Sequence, residues 1–153
     1  MKVAIGADHA GYELKEEIKK LLKRKEIDFH DFGAHPPLDP EDDYPDFGIK
    51  VAEAVAEGAY ERGILVCGAG VGMAMTANKV PGIRAAPCYE TATARLSRQH
   101  NDSNVLTLGA RITDRGLAKR IVEEWLRTKF EGGRHKRRVD KISGIEKNYG
   151  RLT

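Results

Sequence analysis

The residues best equipped for chemistry gather around one thiol. Cys67 closes a short apolar run, Ile64-Leu65-Val66, and opens the stretch Gly68-Ala69-Gly70-Val71-Gly72. An apolar run that breaks into alternating glycines and then into helix formers (Met73, Ala74, Met75, Ala77) reads as strand, loop and helix. Backbone N–H groups in such a loop lack partners, so they suit an anion or a developing oxyanion. Taken alone, the stretch fits a tight turn with a structural cysteine equally well, because free cysteine is often simply buried. His100 precedes Asn101 and Asp102, where a neutral imidazole can pass a proton at neutral pH or merely cap a helix. Asp8-His9 follow the first apolar run. Arg134 and Arg138 lie four apart, so one helical face can offer both guanidinium forks to a phosphate.

Several classes are excluded. A dinucleotide fingerprint needs a third glycine where Met73 stands, and an acid where Pro87 and Cys88 lie. A nucleotidase loop needs Gly-Lys-Ser/Thr, but Gly72 is followed by Met73. The net charge of +3 is too small to imply general nucleic-acid binding. The basic run Arg134-His135-Lys136-Arg137-Arg138 lacks the broad basic face such binding wants. Cys67 and Cys88 have no paired metal-ligand spacing, and two cysteines make no disulfide scaffold. With no signal peptide and no membrane span, the chain reads as cytoplasmic, with reduced thiols and no membrane partner.

These groups need elements to position them. Strands are predicted at Val3–Ala7, Ile27–Phe32, Ile64–Val66, Ile83–Ala86 and Asn104–Leu108. Helices are predicted after Gly11 (Leu14, Ile18, Leu21 and Leu22 inward), over Phe47–Glu57, after Gly72, over Thr91–Gln99 and over Leu117–Leu126. Thr113 is a plausible cap for the last of these. A final helix carries Val139, Ile142 and Ile145 on one side. The long loop Gly33–Asp46 is rich in proline and acid, and its acid run reads as a solvated surface. Tyr44, near its end, either closes over a ligand or packs. The alternation predicts a single domain over 1–153, a doubly wound α/β sandwich. It has five parallel strands and helices on both faces, a Rossmann-like three-layer arrangement. Ligands of such sheets bind beyond the carboxyl ends of the strands, near the switch point.

At this point an ordered set of motifs resembles a known family. The set is Gly6-Ala7-Asp8-His9-Ala10-Gly11, Cys67-Gly68-Ala69-Gly70-Val71-Gly72-Met73, Ala77-Asn78-Lys79, Arg98-Gln99-His100-Asn101-Asp102 and Gly132-Gly133-Arg134-His135 with Arg138. It spans essentially the whole chain and is similar to ribose-5-phosphate isomerase type B, in the wider ribose/galactose-6-phosphate isomerase family. The resemblance implies a metal-free, cofactor-free aldose–ketose interconversion through an enediolate. It implies Cys67 as the base and His100 as the group that opens the sugar ring. Asp8, His9 and Asn101 match substrate-binding positions, and Arg111, Arg134 and Arg138 match the phosphate grip. Gly68, Ala69, Gly70, Val71 and Gly72 match the backbone cradle. Dimers, often paired into tetramers, with sites built across the interface are implied as well; the segment from about 132 to 149 would complete the phosphate site or the dimer contact.

The physics agrees with that assignment. A proton α to a carbonyl needs a base and a means of holding enediolate charge. A thiol near backbone donors and a helix N-terminus gains thiolate character. Cys88 reads as a small buried residue. One position departs: Ala69 stands where the family commonly has threonine or serine. That leaves open an isomerase of another sugar phosphate (allose 6-phosphate, galactose 6-phosphate or a tetrose phosphate) or a non-catalytic sugar-phosphate-binding module.

Overall fold

The computed structural model describes residues 1–150; the last three residues of the expected 1–153 domain lie outside the described part. Five strands, β1 (Lys2–Ala7), β2 (Asp28–Asp31), β3 (Arg62–Cys67), β4 (Ala85–Pro87) and β5 (Val105–Gly109), form one parallel sheet in the order β2-β1-β3-β5-β4. The helices are α1 (Tyr12–Arg24), α2 (Tyr44–Ala56), α3 (Val71–Ala77), α4 (Thr91–Asn101), α5 (Arg115–Arg127) and α6 (Arg134–Tyr149). This is the doubly wound sandwich expected.

The apolar periodicity explains the layers. Leu14, Ile18, Leu21 and Leu22 of α1 pack with Ile121, Val122 and Trp125 of α5 and Ala94 of α4 on one side of the sheet. Val51, Ala52 and Val55 of α2 meet Met73 and Ala77 of α3 on the other. The central strands β1, β3 and β5 are buried on both faces, as their continuous apolar runs require. The edge strand β2 alternates exposed and half-buried residues. A fully buried Lys15 is neutralised within this frame: its Nζ donates to both carboxylate oxygens of Asp31 at 2.8 Å and to the Ala34 carbonyl at 2.6 Å.

The structure corrects three local expectations and adds burial to a fourth, that of α6. The α2 helix begins at Tyr44, a turn earlier than Phe47, because Pro45 occupies its first turn, where a missing N–H costs nothing. The α5 cap is Asp114, whose carboxylate accepts from the Leu117 amide; the Thr113 hydroxyl is buried with no partner among the described residues. On α6 only His135 and Val139 are buried, whereas Ile142 and Ile145 are exposed. The α4 helix runs on past Gln99 to Asn101, so His100 and Asn101 belong to its last turn.

Candidate active site

The direction of the sheet sorts the expected site residues into two groups. At the carboxyl rim, β1 ends at Ala7 and delivers Asp8 and His9, while β3 ends at Cys67 and β5 at Gly109. Cys67 is paired with Gly109, and the Asp8 amide donates to the Val66 carbonyl at 3.3 Å. These loops flank β1 and β3, where the connections leave in opposite directions, which is the switch point of this strand order.

The glycine loop is fixed by contacts from four directions. Gly70 takes φ +80°, a left-handed conformation that glycine adopts without penalty, and caps α3. Its amide donates to the Cys67 sulfur at 3.1 Å. The Gly70 carbonyl accepts from the Thr107 hydroxyl at 2.7 Å, and the Ala69 carbonyl accepts from Tyr89 at 3.0 Å. A Cβ on Gly72 would stand 2.5 Å from the Tyr44 ring, so glycine is what lets that ring lie against the loop. The Arg111 amide donates to the Gly68 carbonyl at 3.0 Å, and the Arg111 side chain lies over Gly68. Cys67 is 4% exposed, beneath this loop and beside Met73. The expected positive helix end is modest, since α3 has only seven residues; the Gly70 amide is the donor that reaches the sulfur.

Asp8 is buried and accepts from the Gly11 amide at 2.9 Å, so it shapes the turn and also faces the rim. Burial pushes its carboxyl above the ordinary value, and nearby Asp42 pushes the same way against the Gly11 amide. His9 is held by Asp42. The His9 amide donates to Asp42 Oδ2 at 3.0 Å, and the ring Nδ1 lies 2.5 Å from Asp42 Oδ1. That hydrogen bond, more than any other influence, raises the His9 ring above its ordinary value. The acid run was expected to be a solvated surface, but Asp42 is drawn out of it onto the rim.

The second group lies at the opposite rim. The Asn101 carbonyl accepts from Arg84, which directly precedes β4, and Asn104, which precedes β5, accepts from Gly63 at the start of β3. The Glu131 amide donates to Gln99, which brings the start of α6 to the end of α4. The His100 and His135 rings stack there, 4.1 Å apart and 9° from parallel. Burial, then the charges of His100 and Arg134, hold His135 below its ordinary value, with Arg138 adding to the effect. Arg134 and Arg138 are exposed beside this pair. With about 3.3 Å per strand residue, a five-residue strand separates the rims by roughly 15 Å. One chain thus joins Cys67, Asp8, His9, Tyr44, Gly68, Ala69, Gly70, Val71, Gly72 and Arg111 at one end, and His100, Asn101, Arg134 and Arg138 at the other.

Asp42, Tyr89, Thr107 and His135 were not among the expected site residues. The signals were weak: Asp42 is one of several acids in its loop, and Thr107 interrupts an otherwise apolar strand. Two clusters hold donor atoms within 4.8 Å of one another and could take a metal ion, Asp8–His9–Asp42 and His100–Glu131–His135. In the first, His9 Nδ1 and Asp42 Oδ1 are already joined by a hydrogen bond.

Comparison with known proteins finds the same fold in a known family. The family model described as ribose/galactose isomerase matches residues 3–142. The ribose-5-phosphate isomerase B of Escherichia coli is 48% identical over 95% of this chain and 96% of its own length. The D-erythrulose-4-phosphate isomerase of Pectobacterium atrosepticum is 42% identical over 95% of each. The structure of Clostridium thermocellum ribose-5-phosphate isomerase B superposes with a TM-score of 0.94 at 54% identity, covering 97% of this chain and 99% of that one. The chain belongs to the ribose/galactose isomerase family and is an enzyme of its aldose–ketose isomerase class.

Proposed function

We propose that the protein interconverts D-ribose 5-phosphate and D-ribulose 5-phosphate, at sites that two copies of the chain build together. The observation that carries this reading is the Cys67 sulfur held by the Gly70 amide at the switch point, on a chain so closely related to ribose-5-phosphate isomerase B. Cys67, as thiolate, takes the proton from C2 of the open-chain aldose. Charge moves onto the C1 oxygen, where loop amides stabilise the enediolate. The proton of the C2 hydroxyl passes to the C1 oxygen, and the thiol returns its own proton to C1, so that C2 becomes the ketose carbonyl with no external redox partner. Before that, His100 transfers the proton that opens the sugar ring, and Arg111, Arg134 and Arg138 hold the phosphate.

The separation of the two rims supports the dimer. A five-carbon sugar phosphate cannot bridge roughly 15 Å of sheet. A two-fold axis perpendicular to the strands sets the carboxyl rim of one copy level with the amino rim of its partner, which gives two identical composite sites. The surface suited to this contact runs along the edge strand β4, with Val71 and Met75 exposed on α3 and Ile142 and Ile145 exposed on α6. Such a strip of apolar side chains is costly to leave in water.

A direct ribose/ribulose phosphate assay, together with exchange of solvent deuterium into the sugar, tests the reading. Turnover with label incorporated is expected; turnover of neither sugar would overturn it. A four-carbon substrate is the second reading, favoured by Ala69 and by the D-erythrulose-4-phosphate isomerase relative.

A further inference from the structure

The acidic loop contributes one side chain to the carboxyl rim, and its placement is built rather than incidental. The start of the loop is tied to the end of β1, where the Ala7 amide donates to Gly33 and the Ala34 amide to Ala7. Its end is braced by α2, whose cap residue Asp43 directly follows Asp42. Between these anchors Asp42 makes three contacts with His9: both carboxylate oxygens accept from the amide, and one meets ring Nδ1. The Asp42 side chain is only 11% exposed, and that of His9 is 29% exposed. With Nδ1 engaged, Nε2 is the ring nitrogen left for a ligand.

We propose that Asp42 is a positioning residue for substrate binding: it fixes the His9 ring on the carboxyl rim and lends it the positive charge that a sugar phosphate's anion demands. This rests on the isomerase reading. The charged groups facing His9 are Asp42 from the loop, Asp8 from the β1 turn and Arg111 from the β5 turn. Asp42 and Asp8 favour the charged ring, and Arg111 opposes it. Glu13 and Arg115, which line the adjoining cleft, pair with each other at 2.5 Å. A raised His9 titration means the charge is present below the raised midpoint and is lost as pH climbs through it.

The test combines NMR titration of the His9 ring with KM and kcat for ribose 5-phosphate across pH, in wild type, Asp42→Asn and Asp42→Glu. Asp42→Asn keeps the side-chain shape but removes the charge. It should lower the His9 midpoint and shift the pH-dependent rise of KM to lower pH. Between the variant and wild-type His9 midpoints, KM should be about tenfold higher, the worth of one charge-assisted hydrogen bond, with kcat nearly unchanged. Asp42→Glu should restore both readouts. A His9 midpoint unmoved by Asp42→Asn overturns the proposal, and so does a lowered midpoint with an unmoved KM profile. An unmoved midpoint with full wild-type turnover leaves the isomerase reading standing. Absent wild-type turnover, with the midpoint still lowered, fails that reading and with it the substrate half of this proposal.

Discussion

The sulfur of Cys67 accepts a hydrogen bond from the amide of Gly70 at 3.1 Å, three residues on, inside a loop that Thr107 and Tyr89 hold from outside. This contact ties the proposed base to the groups that would carry enediolate charge. Replacing Cys67 with alanine should therefore lower kcat at least about a thousandfold, within the usual worth of a general base. Circular dichroism should show the same fold. Retained turnover of purified Cys67→Ala would refute the assigned base.

Arg134 and Arg138 project from the exposed side of α6, beside His135. If they hold phosphate, Arg134→Ala and Arg138→Ala should each raise KM about ten- to a hundredfold, with kcat less affected. Steady-state kinetics separates the cases. A fall in kcat at constant KM would contradict the phosphate role.

Much of this arrangement was legible in the chain, for physical reasons. The strands covering the runs predicted at 3–7, 64–66 and 104–108 are buried on both faces, so they stand out as near-continuous apolar stretches. The switch-point residues Asp8, His9 and Cys67 follow directly from strand direction. The division into two rims was not drawn from the chain, although a crossover helix after β4 must end where β5 begins and so carries His100 to the far rim. Contacts between distant segments were not legible. Asp42 reaches His9 across 33 residues and Tyr89 reaches Ala69 across 20, and no local pattern encodes either pairing. Lys15 looks like one more surface lysine of α1 until Asp31 is folded against it.

Ala69 is exposed, and the Tyr89 hydroxyl meets its carbonyl rather than its methyl group. A larger side chain therefore has room. Ala69→Thr should raise kcat on ribose 5-phosphate by several-fold to about tenfold, the worth of one hydrogen bond made in the transition state. Assays against four-, five- and six-carbon phosphates give the comparison. A gain confined to a four-carbon phosphate would favour the tetrose reading instead.

Asp31 neutralises a fully buried lysine, and Lys19 also donates to it at 2.7 Å. Burial alone would push the Asp31 carboxyl up, but Lys15, Lys19 and the Gly33 amide together bring it below its ordinary value. The depressed value means this contribution is present above the unfolded value and is lost as pH falls through the folded one. Asp31→Asn should destabilise the fold by about 3 kcal/mol by stranding the Lys15 charge. It should also flatten the acid limb of stability below about pH 4, where Asp31 would otherwise titrate. Urea melts across pH measure both effects; an unchanged midpoint at neutral pH would contradict them.

The most direct test mixes Cys67→Ala, which lacks the base, with Arg138→Ala after subunit exchange, and assays at a substrate concentration near the wild-type KM or below it, where Arg138→Ala alone turns over little. If each site takes Cys67 from one copy and Arg138 from its partner, a mixed dimer holds one intact site and one doubly damaged site. Half the dimers being mixed, activity should recover to about a quarter of wild type. No recovery, with mixed dimers demonstrated by mass spectrometry, would contradict a site shared between two copies.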